Sequence, residues 1–198
     1  MTDRHPALTF HSMPVGAGYA RPEQVYPDGL GIDSPAAQAM TDLRAVTALT
    51  VERTNTLAAT RERMRKLGVR MLLVTGATGA VMGVVTVTDL DSGRSEKIAA
   101  KTGEKPEELY VQDIMTLRGR IEVLRLQDVN RASVGQVLNS LRHAGRRHAL
   151  VLDPDKGGDT GEICGIFSLT RLCGQIGLDI QPGAAMNDIE QALRGVLD

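Results

Sequence analysis

The sequence predicts a two-lobed α/β protein made by duplicating one unit of about 60 residues. Three observations predict it. The stretch "GVVTVTDL", from Gly83, returns as "GIFSLTRL" from Gly165, with glycine, hydroxyl and final leucine in register. The longer run "TLAATRERMRKLGVRMLLV" lies against "SVGQVLNSLRHAGRRHALV", so that Leu57 pairs with Val134, Met64 with Leu141, Gly68 with Gly145 and Val74 with Val151 at an offset of 77. Ahead of each run, "AQAMTDLR" from Ala37 resembles "VQDIMTLR" from Val111. The motif glycines stand 82 apart instead of 77, so five extra residues enter the second copy. They fall in "DPDKGGDTGEI", a turn-rich stretch where a hairpin tolerates insertion.

Residues 1–33 hold Phe10, Tyr19 and Tyr26, three of the five Phe and Tyr residues in the chain, among Pro6, Pro14, Pro22 and Pro27. This composition opposes regular helix. It reads as an irregular arm whose aromatics anchor it on the folded body or on a partner subunit, with a disordered tail as the alternative. The first repeat spans 34–97. Its strand "ALTV" leads to a helix opened by Thr56, carrying Leu57 and Met64 on one face, and stopped by Gly68. The apolar runs "MLLV" and "VMGVVTV" around a Gly-rich turn read as a β-hairpin, with a short helix near Thr88.

Residues 98–182 hold a linker helix and the second repeat. "SEKIAAKTGEKPEELYVQDIM" reads as helix broken at Gly103 and restarted with Pro106 in first position. "IEVLRL" is the counterpart strand. Ser133 caps a helix in which Val134, Val137, Leu138 and Leu141 follow the i, i+3, i+4, i+7 rule, and Gly145 stops it. "ALVL" and "ICGIFSL" form the second hairpin, and a short helix begins near Thr170. Residues 183–198 end the chain with "NDIEQALRGVLD", a helix capped by Asn187. One unit alone has a marginal core, whereas two bury their sheets against each other and leave a cleft between lobes.

Composition limits the function. With 42% hydrophobic residues the chain builds an ordinary core, and its charges nearly cancel to −1, so no global field draws it to nucleic acid or to an anionic membrane. No apolar run approaches a spanning helix, and "MTDRHPALTF" lacks the apolar core of a signal peptide, which predicts a cytoplasmic protein. Cys164 and Cys173 have no CxxC spacing and read as small buried thiols.

The order "DIMT", strand, capped helix, "GVRMLLV", turn, "GVVTVTDL" resembles the cystathionine-β-synthase (CBS) domain, and the tandem arrangement resembles a Bateman module. The likeness covers about residues 34–178. It implies two βαββα repeats packed with pseudo-twofold symmetry, assembly as a homodimer, and clefts that bind adenosine-containing ligands. In the family pattern the hydroxyl and carboxylate that contact ribose or phosphate fall on Thr86 and Asp89, and the second hydroxyl falls on Ser168. A carboxylate suits a ribose diol because it accepts two O–H groups at once. Two readings of Asp89 stand: ligand acceptor, or helix cap.

Arg70, Arg147 and His148 occupy the helix-to-strand corners where the resemblance implies cations against phosphate. Arg142, His143 and Arg146 add charge nearby, and the other reading of all these groups is compensation of a helix dipole. Thr47, Ala48 and Leu49 enter the first strand, where the family seats adenine between apolar walls; an ordinary buried edge strand is the alternative. Gly76, Gly79 and Gly83 lack a following Walker lysine and join two strands, so they form a hairpin turn and not a phosphate loop. His143 and His148 alone do not indicate a metal site.

The sequence suggests no nucleophile and base pair, so the expectation is a non-enzymatic regulatory or sensory module. It would bind an adenine nucleotide (AMP, ADP, ATP or similar) as a regulatory ligand with no catalytic cofactor, and act on a regulated protein that the sequence does not identify. A ligand-free dimerisation scaffold is the alternative. In the second motif Arg171 stands where the first has Asp89, and a guanidinium accepts no hydrogen bond, so the two corners are expected to be unequal.

Overall fold

Local signals set most of the element ends. In the computed structural model, which describes residues 13–14, 23–181 and 183–197, α1 (Ala36–Ala39) and β1 (Thr41–Asp42) precede β2 (Thr50–Glu52) and α2 (Leu57–Leu67). Thr56 caps α2 by accepting the Ala59 N–H at 3.2 Å, and Gly68 ends it at φ 64°, a left-handed conformation that glycine adopts without a Cβ penalty. The hairpin of β3 (Met71–Thr75) and β4 (Val81–Thr86) runs into the one-turn α3 (Val87–Leu90), and α4 (Arg94–Thr102) stops at Gly103. Pro106 restarts the chain only as a single 3-10 turn, Pro106–Glu108, before α5 (Val111–Ile114) and β5 (Thr116–Leu117).

The second copy contains β6 (Val123–Arg125), α6 (Leu126–Val129), α7 (Val134–His143), β7 (His148–Asp153), β8 (Glu162–Ser168) and α8 (Leu169–Gln175). Ser133 and Gln136 form a reciprocal capping box at the start of α7. The short helices begin at Val87 and Leu169, one residue before the positions expected, because Thr86 and Ser168 take the N-cap places. The last helix, α9 (Met186–Leu197), starts before Asn187, which therefore lies inside its first turn instead of capping it. Phe10, Tyr19, Pro6 and Pro22 of the arm lie outside the described residues.

Each lobe has a four-stranded sheet, β2-β3-β4-β5 in the first and β1-β8-β7-β6 in the second. The edge strands are exchanged. β1, ahead of β2 at the start of the first repeat, pairs antiparallel with β8 of the second, and β5, ahead of β6, pairs with β4 of the first. Helix packing follows the same exchange: α1 joins the core of the second lobe through Ala36 and Ala39, and α5 joins that of the first through Val111 and Ile114.

Strand alternation assigns the two faces of each sheet. Leu72, Val74 and Val85 face the helices of the first lobe, and Val151, Cys164 and Phe167 those of the second. The intervening Leu73, Val84 and Leu150, with Met71, Val81, Ile163 and Ile166, form a third cluster where sheet meets sheet. Burying each large apolar side chain there stabilises the pair by about 1.5–3 kcal/mol. Cys164 and Cys173 are buried and unpaired, and burial pushes the Cys173 thiol up to about 11, so it stays protonated at neutral pH. No helix among the described residues is long and apolar enough to cross a membrane.

Candidate functional site

The two motif glycines have a steric cause. A Cβ on Gly83 would lie 2.3 Å from the Thr116 carbonyl oxygen of the exchanged strand β5, and a Cβ on Gly165 would lie 2.2 Å from the Met40 Sδ, just ahead of exchanged strand β1. Each glycine thus marks the crossing point where one repeat lends a strand to the other.

Three residues after Gly83, Thr86 and Asp89 close a capping box. The Thr86 N–H donates to Asp89 Oδ2 at 2.8 Å, the Thr86 hydroxyl donates to the same oxygen at 2.7 Å, and Asp89 N–H donates back to the hydroxyl at 3.1 Å. The cap reading of Asp89 is therefore realised. Oδ1 is left over: among the described residues it meets only the Arg94 guanidinium, at 4.0 Å, and the side chain keeps 17% of its surface exposed. Arg94 is a neighbour that no motif announced. One carboxylate oxygen holds the corner, and the other retains lone pairs that point to no backbone donor.

The second corner repeats the backbone and changes the chemistry. Just as Val87 N–H donates to the Arg70 carbonyl, Leu169 N–H donates to that of Arg147. Ser168 takes the N-cap position without a side-chain cap, and Arg171 at the third helical position has no acceptor to return to the Ser168 N–H. Arg171 instead donates to the Tyr26 hydroxyl at 2.7 Å and sits with its Cζ 5.3 Å from the Tyr26 ring centre.

Arg70, Arg147 and His148 are brought together. The strands they start, β3 and β7, face each other across the sheet interface. Burial pushes the His148 imidazole down to about 4, and the positive fields of Arg147 and Arg70 add to that, so His148 is neutral at pH 7. Among the described residues neither arginine meets a carboxylate. Arg147 donates to the Ala184 carbonyl, and a Cβ on Gly183 would lie 4.0 Å from the Arg70 guanidinium, so the segment leading into α9 crosses this end of the sheets.

The other cations are taken up elsewhere. Arg146 pairs with Glu122, and His143 contacts the Asn139 carbonyl on its own helix. Of the segment entering β2, Thr47 is exposed, Ala48 is half-buried in the sheet–sheet cluster, and the Leu49 carbonyl is consumed by the Leu73 N–H.

Concavities of about 420 Å³ and 590 Å³ open on the first lobe, between α2, α4 and the Pro106 turn and beside the β3–β4 turn, respectively. Thr86, Asp89, Thr47, Ala48, Arg70, Arg147 and His148 line neither of them. No group of three or more His, Cys, Asp or Glu able to hold a metal ion gathers among the described residues.

Fold and corners together define a duplicated α/β protein with exchanged edge strands and a Gly-x-x-Thr-x-x-Asp corner in its first lobe. Residues 37–93 match the family model of the CBS domain. Over about three quarters of the chain the fold is that of CBS-pair structures. An uncharacterised conserved protein from Pyrococcus horikoshii superposes with a TM-score of 0.54 at 21% identity, covering 78% of this chain and 100% of the other. A CBS-domain-containing protein from Agrobacterium tumefaciens gives 0.53 at 19% identity, covering 77% and 98%. CBSX2, solved in complex with AMP, gives 0.50 at 22% identity, covering 71% and 94%. No curated protein sequence matches the chain.

Proposed function

We propose that the protein is a regulatory CBS pair that binds an adenosine-containing ligand such as AMP at its first corner and acts through binding, not catalysis. The observation that carries the reading is that Asp89 Oδ1 takes no part in the cap and has only Arg94 near it, at 4.0 Å, while two guanidiniums, Arg70 and Arg147, have no carboxylate partner among the described residues. A ribose diol would donate to Asp89 Oδ1. Phosphate would replace the Ala184 carbonyl at Arg147 and meet Arg70, exchanging a neutral acceptor for a charged one. Thr47 and Ala48 would edge the adenine. CBSX2 in complex with AMP supports the choice of nucleotide. A ligand preferring one arrangement of the segment around Ala184 would shift the population of α9 positions, which offers a regulated protein a changed surface in the cytoplasm, as a homodimer or through a partner chain.

One observation favours the second reading, a ligand-free interaction scaffold: Arg171 and Arg147 are each engaged by the protein's own Tyr26 and Ala184. Calorimetric titration with AMP, ADP and ATP separates the two. Asp89→Asn keeps an oxygen for the Thr86 cap and removes the charged acceptor, and is expected to weaken AMP by at least tenfold, from the loss of charge-assisted hydrogen bonds of about 1.5–3 kcal/mol each. Unchanged affinity in the variant would sink the first-corner site, and absence of binding across the three nucleotides would leave the scaffold.

A further inference from the structure

Residues 24–26 of the arm meet the second lobe through two side chains, Gln24 and Tyr26, ahead of Leu30, which is buried in that lobe's core. Gln24 runs along the outer edge of β1 as a surrogate strand: its Nε2 donates to the Met40 carbonyl and its Oε1 accepts the Asp42 N–H, both at 2.8 Å. These are the edge groups that β8 leaves unsatisfied on the far side of β1, and an edge strand with open N–H and C=O groups is a template for an extended segment. Two residues on, in the extended spacing that returns a side chain to the same face, the Tyr26 hydroxyl shares a 3.0 Å hydrogen bond with Thr41 Oγ1 and accepts from Arg171 at 2.7 Å. The Arg171 guanidinium also lies 5.3 Å from the Tyr26 ring centre, within cation–π range. Val25, between them, is 89% exposed, so residues 24–26 themselves are held by directional polar contacts, whereas burial begins further on at Leu30.

The duplication sharpens what Arg171 does. The repeats keep the glycine, the hydroxyl and the leucine, and the change of Asp to Arg removes the capping box and supplies the donor that the arm uses. We infer that the second corner is a dock for the chain's own arm, with Arg171 and the edge of β1 reading Tyr26 and Gln24, so that this corner is filled from within instead of by a small molecule. The two corners then have separate tasks. One keeps an acid for a ligand, and the other spends its equivalent position on holding residues 24–26 against β1.

Proteolysis at Glu23 tests this directly, because Glu23 is exposed while its neighbour Gln24 is hydrogen-bonded, and cleavage between them requires the docked segment to lift. With a glutamate-specific protease and the full chain, the cut rate follows the open fraction of the arm. Tyr26→Ala and Arg171→Ala are each expected to speed cleavage at Glu23 about tenfold, the loss of a charge-assisted hydrogen bond with its cation–π contact. The double variant is expected to cut no faster than about twofold over either single one, since both remove one interaction. Arg171→Lys, which keeps a cation, is expected to fall between. Circular dichroism identifies any variant that has lost its fold, and the Lys variant then decides.

Cut rates within twofold of the unchanged protein in both single variants would overturn the dock. Saturating AMP is expected to leave the cut rate unchanged, and acceleration by AMP would overturn the assignment of this corner to the arm. The inference uses the nucleotide reading only in that last comparison. If AMP fails to bind at all, the first-corner reading fails and the cut rates of the variants still judge the dock.

Discussion

Gly83→Ala is expected to lower the thermal midpoint by about 6–12 °C, a loss on the order of 3 kcal/mol in a chain of this size. A methyl at this position would stand 2.3 Å from the Thr116 carbonyl oxygen, and the obstacle is backbone. It cannot rotate away. Relief requires β5 to shift from β4, which breaks the two-residue pairing Gly83–Leu117 and Val84–Thr116 and loosens the exchange that ties the lobes. Gly165→Ala meets the Met40 Sδ at 2.2 Å, the far end of a flexible side chain, although that side chain is buried. Its cost is expected to be smaller than that of Gly83→Ala. Gly119→Ala, with nothing within 4 Å of the added methyl and no left-handed backbone, is the internal control and should stay within about 0.5 kcal/mol of the unchanged protein. Thermal and urea denaturation of the three variants measure the midpoint shift and the free-energy loss. A Gly83→Ala midpoint equal to that of Gly119→Ala would show that the strand exchange is not held tightly at this crossing.

The same glycines show how far the sequence speaks. Gly83 and Gly165 stand out as a repeat, and their conformations are not left-handed, so nothing local requires glycine there. The requirement comes from the Thr116 carbonyl of β5, 33 residues away, in one case and from the Met40 side chain just ahead of β1 in the other, and each of these strands is only two residues long. Strands so short carry no periodicity, and the exchange of edges was therefore invisible. The helices were legible because caps and stops are local: Thr56, Ser133, Gly68 and Gly145 act within one turn of the ends they set. Asp89 was legible as a residue of interest with two readings; the structure realises the cap through Oδ2 and leaves Oδ1 beside Arg94.

Arg171 was legible only as a departure. Its partner Tyr26 lies 145 residues earlier, in an arm that pattern reasoning marks as irregular and aromatic without saying where it goes. Likewise, position at the helix-to-strand corners marks Arg70, Arg147 and His148 as cations, but that His148 is neutral follows from packing that places two guanidiniums and a sheet interface around one ring. Ala184 contributes a carbonyl, a group every residue carries, so no sequence signal marks it.

His148 makes the folded protein acid-sensitive in a defined window. The folded-state value lies at about 4, below the 6.5 of the free side chain, because burial first and the Arg147 and Arg70 charges second disfavour the imidazolium. The unfolded chain therefore takes up a proton at a pH where the folded chain does not, and stability falls as pH falls. The contribution is fully present above about pH 6.5, declines through the interval, and is gone below about pH 4. Its full size, at 1.36 kcal/mol for each tenfold difference in proton affinity, is at most about 3 kcal/mol, comparable with the Gly83→Ala loss. Urea midpoints between pH 7 and 4 are expected to drop steeply in the unchanged protein and less in His148→Gln, which has no charge to acquire. Titrating the ring by NMR gives the same answer without a variant: the His148 resonances are expected to hold their neutral shifts at pH 5.5. A His148 that titrates near 6.5 would mean that water or a counter-ion reaches the ring, and the acid sensitivity assigned to it would then be absent.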